Sequence, residues 1–110
     1  MSYKWPDKDK DEILDYSVDW SRLVGSDLIS SSSWFVDDAD GVRQEAGESN
    51  TPINGLIVVY EGSTVSTNGK VTTVRLSSGT NNVRYRLTNS VTTTSGLVYE
   101  RSIFLRVREK

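Results

Sequence analysis

Neither cysteine nor histidine occurs in these 110 residues, and proline occurs only twice. Without thiols, disulfide staples and thiolate metal sites are excluded, and cysteine usage says nothing about redox compartment. Without imidazole, the chain lacks the commonest general base and the commonest metal ligand, so a Ser-His or Cys-His nucleophile cannot be assembled within it. A surplus of positive charge is missing too: 13 Lys and Arg face 15 Asp and Glu, for a net charge of −2. Nucleic acid is held first by Lys and Arg at its phosphates, so it is not an expected partner. No apolar run approaches the roughly 20 residues that span a bilayer, and the hydrophilic first residues do not read as a secretion signal. These absences predict one soluble, non-enzymatic domain with no cofactor and no membrane partner. A chain this long buries roughly two-thirds of the surface it exposes when unfolded, enough for a core without staples.

What is present is alternation. Leu14, Tyr16, Val18 and Trp20 alternate with Asp15, Ser17 and Asp19, the pattern of a half-buried antiparallel strand. In "DLISSSSWFV" (27–36), Leu28, Trp34 and Val36 share one parity and Ile29 and Phe35 the other. Residues 37–55 carry almost no apolar side chains and read as a long surface loop. "LIVVY" (56–60) is a short apolar run, and "STVSTNGKVTTVRL" (63–76) sets Asn68-Gly69 between two β-prone runs. That dipeptide predicts a hairpin closed by a type I′ turn with both residues at positive φ. Near the C-terminus, Val83, Tyr85, Leu87 and Val91 alternate with Arg84, Arg86, Thr88, Ser90 and Thr92. Past a turn at Ser95-Gly96, Tyr99, Ile103, Leu105 and Val107 alternate with Glu100, Ser102, Arg106 and Arg108.

The count is about seven strands and no convincing helix, which predicts an all-β, immunoglobulin-like antiparallel β-sandwich over residues 13–110. In such a fold a Tyr near the start of the sixth strand bonds back to the preceding corner, and Tyr85 after "SSGTNN" has that position. Trp34 suits the large inter-sheet aromatic, although it falls on the second strand of this reading rather than the third. Residues 1–12 form an extended N-terminal arm with too few apolar residues to fold alone.

Several constellations could carry chemistry. Asp38 and Asp40 before Gly41 have part of a calcium-loop spacing, but Val36 stands where another acid is needed and no Glu closes the loop. No metal or catalytic residue is therefore assigned. Arg84, Arg86, Arg106 and Arg108 fall on one outward face, and Arg101 falls among the inward residues. Such a stripe either reads carboxylate partners or keeps a sheet soluble. On the arm, Tyr3 and Trp5 are candidate anchors, and Lys4, Lys8 and Lys10 interleave with Asp7, Asp9 and Asp11. The partner-binding candidates are Tyr3, Lys4, Trp5, Pro6, Asp7, Lys8, Arg84 and Arg86. The alternative placement folds the arm back, with Trp5 covering a sandwich edge. Tyr60 and Tyr99 join Tyr3 and Trp5 as aromatics suited to sugar stacking.

The order and spacing of "KWPDKDKDEILDYSVDWSRLVGSDLISSSSWFV" and "TTVRLSSGTNNVRYRLTNSVTTTSGLVYERSIFLRV" resemble the phage fiber-tail adaptor proteins, over about two-thirds of the chain. Arg75 and Ser78 stand where that family suggests an aromatic and a glycine, and residues 37–55 are longer than its usual connection. The resemblance implies a virion structural protein, assembled in the host cytoplasm in multiple copies. It would link tail or fibre components by contacts with other virion proteins. Alternatives are a head (capsid) decoration protein and a carbohydrate-binding sandwich for host adhesion.

Overall fold

The computed structural model describes residues 3–47 and 49–109. Among the described residues eight strands fall in two sheets: β1 (Tyr3–Lys4), β2 (Leu14–Asp19), β3 (Ile29–Asp37), β4 (Arg43–Glu45), β5 (Leu56–Val65), β6 (Val71–Ser78), β7 (Arg84–Thr93) and β8 (Val98–Arg106). One sheet has the order β1-β8-β7-β3-β4 and the other β2-β6-β5. The pairs are antiparallel except β1 on β8. The chain is an all-β sandwich, and among the described residues its helical part is one turn, α1 (Ser21–Val24).

Alternating positions fill the space between the sheets. Tyr16 and Val18 of β2, Leu56 and Val58 of β5, and Val74 and Leu76 of β6 face Trp34 and Val36 of β3. They also face Tyr85, Leu87 and Val91 of β7 and Ile103 and Leu105 of β8, and all are buried. The parity expected for β3 breaks at its start. A bulge between Ile29 and Ser31 puts Ile29 in the core and leaves Leu28 exposed; the extra residue reverses which side chains point inward. The Tyr85 hydroxyl does reach the preceding corner, accepting from Thr80 N at 2.8 Å and donating to the Asn54 carbonyl at 2.6 Å.

One polar group crosses the core. Asn89, on β7 and fully buried, accepts from Trp20 Nε1 (3.1 Å) and from the Thr72 hydroxyl of β6 (2.7 Å). It donates to the Ser32 hydroxyl (2.8 Å) and the Ser33 carbonyl (3.0 Å) of β3. With both ends of the amide satisfied, burial carries no orphan penalty, and β7 of one sheet is tied to β6 of the other.

The N-terminal segment lies on its own domain, the fold-back placement. Trp5 N donates to Phe104 O at 2.9 Å and Lys8 N to Arg106 O at 3.0 Å, so residues 3–8 track the edge of β8. The Trp5 ring stacks on Tyr16 with centroids 4.7 Å apart and lies 6.0 Å from Trp34. Lys8 is completely enclosed, and its ammonium donates to the carbonyls of Asp9 (2.8 Å) and Ser78 (2.7 Å). An ammonium tolerates removal from water only where oxygens surround it. Burial first, then Glu12 and Asp7, pushes the Tyr16 phenol up to about 12, and its hydroxyl donates to the Pro6 carbonyl at 3.4 Å.

Two turns differ from expectation. At Asn68-Gly69 only the glycine is left-handed (φ +70), and the Ser66 carbonyl accepts from Gly69 N at 2.9 Å, closing a longer hairpin loop. The two-residue geometry with both φ positive belongs to Asn54 (+50) and Gly55 (+87), where Ile53 and Leu56 exchange backbone hydrogen bonds of 2.8 and 3.0 Å. Within the expected loop 37–55, Asp38 Oδ1 accepts from the amides of Asp40 and Val42, both at 2.9 Å. This carboxylate closes the β3–β4 hairpin instead of awaiting a cation, and β4 replaces part of the loop.

At the α1 end, three loops converge on Asp27. Its carboxylate accepts from the Ser95 and Thr94 hydroxyls and from Leu28 N, while the Lys70 ammonium donates to the carbonyls of Gly25 and Asp27. Hydrogen bonds from Ser95 above all, then Thr94, hold the Asp27 carboxyl well below the usual carboxylate range.

Three expectations follow for stability. Lys8→Met keeps the stem but orphans two carbonyls, and should lower unfolding free energy by about 1–3 kcal/mol in urea titrations. Ser78 is left-handed at φ +59, a conformation that only glycine adopts without cost. Ser78→Gly should therefore raise stability by about 0.5 kcal/mol, the strain relieved less the entropy glycine adds to the unfolded chain. The native pKa of Asp27 lies below its unfolded value, so its contribution is complete above the unfolded carboxylate range, about pH 4. It is lost as pH falls from there through the native value. Asp27→Asn should accordingly flatten the acid limb of the stability profile, read as urea midpoints between about pH 5 and about pH 2.

Candidate functional site

Strand register sets the outer face of the five-stranded sheet row by row. Lys4 pairs with Phe104, Phe104 with Arg86, and Arg43 with Asp37. Because Val36 lies opposite Leu87, Asp37 comes beside Arg86 across β3 and β7. The next row toward the strand ends places Arg84 directly opposite Arg106.

The two halves of this face differ electrostatically. Toward β4 each arginine meets a carboxylate. Arg43 grips Glu100 with two hydrogen bonds (3.2 and 2.8 Å) and lies 3.8 Å over the Phe35 ring, and Arg86 is 3.9 Å from Asp37. The guanidinium hydrogen bonds hold the Glu100 carboxyl below its ordinary value and raise that of Arg43, while slight burial opposes both.

Toward β1 the balance fails. Lys4, Arg84, Phe104 and Arg106 line a cleft of about 260 Å³. Arg84 lies 4.0 Å over the Phe104 ring, and among the described residues no carboxylate forms an ion pair with Lys4, Arg84 or Arg106. Like charges directly opposed on neighbouring strands are destabilising. The ring under Arg84 offsets part of this through its π face, but among the described residues no carboxylate compensates the charge. Two forked guanidinium groups and an ammonium around an aromatic floor are suited to grip carboxylates.

The expected contact residues separate in the structure. Lys4, Arg84 and Arg86 lie on this face, although Arg86 leans toward Asp37. Pro6 is exposed beside it, and Asp7 lies 3.7 Å from Arg108. Trp5 and Lys8 turn inward, where they hold the arm in place. The side chain of Tyr3 lies outside the described residues. Arg101, expected inward, stacks 4.8 Å over Trp20 and donates to the Asp19 carbonyl at 3.2 Å. Sequence reading missed Phe104, although its outward parity between Ile103 and Leu105 was legible. It also could not bring Lys4 to Arg84, since that neighbourhood exists only because β1 pairs with β8.

Two comparisons bear on identity. No curated protein matches the chain. Residues 8–106 match the family model described as the podophage GP4 fiber-tail adaptor protein gp77, from the bridge at Lys8 to the end of β8, and the chain belongs to that family.

Proposed function

We propose that this chain is a non-enzymatic structural protein of the phage virion that links tail or fibre components in multiple copies. In this reading the β1–β8–β7 face docks on a carboxylate-bearing segment of another virion protein. Family membership supports the virion assignment. The uncompensated cleft of Lys4, Arg84 and Arg106 carries the docking assignment. A chain with net charge −2 that leaves three cations together on one face gains little for its own fold. An acidic partner converts that strain into attraction, and the contact area need not be large when it is repeated around a particle.

The fold is read as immunoglobulin-like. In that plan strands B, E and D form one sheet, and G, F and C the other, with C′ beside C. The orders β2-β6-β5 and β8-β7-β3-β4 support this reading. Trp34 then falls on strand C and Tyr85 on strand F. Counting β1 as the first strand makes β3 the third, which favours this reading of Trp34. The arm's part in the contact is to present Lys4, Pro6 and Asp7, while Trp5 and Lys8 fix its position.

The double substitution Arg84→Glu, Arg106→Glu should leave the isolated domain folded, with a thermal midpoint near wild type. Phage carrying it should assemble particles depleted of this protein, as measured by quantitative mass spectrometry of purified virions. Incorporation at the wild-type level would sink the docking assignment. In vitro, partner capture should weaken steeply as salt rises through the range where the Debye length falls below about 10 Å.

A further inference from the structure

The side of the sandwich opposite the arm is open between the edge strands β4 and β5, and there lies a cavity of about 330 Å³. Its walls include Trp34, Tyr60, Glu45, Ser33, Ser63 and Thr64. We propose that this cavity is a binding site for a neutral saccharide, with room for one pyranose ring, distinct from the cationic docking face.

The first support is that the wall is built at the expense of the sheet. Strand β5 advances five residues, from Val59 to Thr64, while β6 advances only two, from Arg75 to Thr73. Residues 60–63 thus leave the ladder at the cavity. Bulges of this kind re-aim side chains and cluster beside functional sites. This one is held firmly. Gly62 lies flat on Arg75, where a Cβ would come within 2.4 Å of the Arg75 Cβ, so no larger residue fits. Arg75 is itself fixed by Asp15 through hydrogen bonds of 2.8 and 3.2 Å. Tyr60 N donates to the Asn50 side chain at 2.8 Å, and the Ser63 hydroxyl to Val59 O at 3.0 Å. Asn50 adopts the left-handed φ of +55 to do so.

The second support is the chemistry of the lining. The bulge presents Tyr60 with 48% of its surface exposed, and it lines the same cavity as the buried Trp34. Sugar rings offer C–H faces to aromatic planes and hydroxyls to polar neighbours. Serine and threonine residues, with Glu45 at the β4 edge, make up the polar part of the lining. Among the described residues the lining has no cation, so phosphate and carboxylate ligands are disfavoured. The hydroxyl-rich wall likewise disfavours a purely apolar ligand.

Saturation-transfer NMR on the isolated, full-length domain tests this with neutral hexoses, N-acetylhexosamines and their disaccharides as probes. Transfer to ring C–H protons is expected, with a dissociation constant in the millimolar range. Tyr60→Ala should weaken binding by about tenfold or more, an aromatic contact's worth, and Tyr60→Phe should retain it. Should Tyr60→Ala disturb the bulge, seen as a lowered thermal midpoint, Glu45→Lys on the exposed edge strand gives the independent check, with a similar loss. No transfer from any sugar in the panel to folded protein would overturn the proposal. So would equal binding by wild type and Glu45→Lys, or Tyr60 becoming protected only in assembled particles, which would assign the cavity to a protein neighbour.

Discussion

A single buried ammonium holds together the parts of this molecule that matter for its surface. Lys8 sits where the N-terminal segment leaves β8 of one sheet and turns toward β2 of the other. Its backbone continues the β8 edge, with Arg108 N donating to Lys8 O at 2.8 Å, while its side chain ends on the carbonyl at the close of β6. One residue thereby touches both sheets. The requirement that a fully enclosed charge find oxygen acceptors makes its position all but unique. Everything upstream inherits that position, Trp5 against Tyr16 and Lys4 beside Phe104 included.

Sandwiches of this general plan often join their sheets covalently, and this chain has no cysteine with which to do so. Asn89 takes over part of that task without a covalent bond. Its amide draws Trp20 and Thr72 from the three-stranded side to β7 and β3 of the five-stranded side, and Trp20 in turn carries Arg101 on its ring. Such a network specifies register as well as adhesion, because its four hydrogen bonds are met together in one relative placement of the sheets. At the far end, Asp27 and Lys70 bind three loops with the same economy of polar groups. Rigidity at both ends leaves the lateral surfaces as fixed platforms. One is the cationic face beside β1, and the other is the bulged wall beside β5.

Family membership and geometry make different statements about the protein. The family match covers the sandwich from Lys8 to Arg106 and establishes kinship with podophage adaptor proteins. The docking proposal rests on geometry, at the place where the sheet's own charge pairing stops. Paired charges toward β4 and unpaired ones toward β1 lie on one face, within a few strands of each other. That contrast is more informative than the number of arginines, since paired and unpaired cations look alike in sequence.

Much of the fold was legible beforehand because strand alternation is a local, period-two signal. The inward sets of β2, β7 and β8 and the all-β class follow from it. What stayed hidden depends on register between distant segments. A one-residue bulge at Ser30 exchanged Leu28 for Ile29 in the core, and no local pattern announces such a step. Asn54-Gly55 and Asn68-Gly69 look equivalent as dipeptides, yet only the first makes the two-residue turn, because packing of Gly69 against Leu28 accompanies a longer loop at the second. The arm's charges read as partner contacts in sequence, since nothing local says that Lys8 will meet the carbonyl of a residue 70 positions away. Composition and periodicity thus settled which residues form strands and which face is apolar, being properties of neighbours along the chain. Tertiary structure alone decided which charges are paired and which stand together unmatched, because that depends on which strands become neighbours in the sheet.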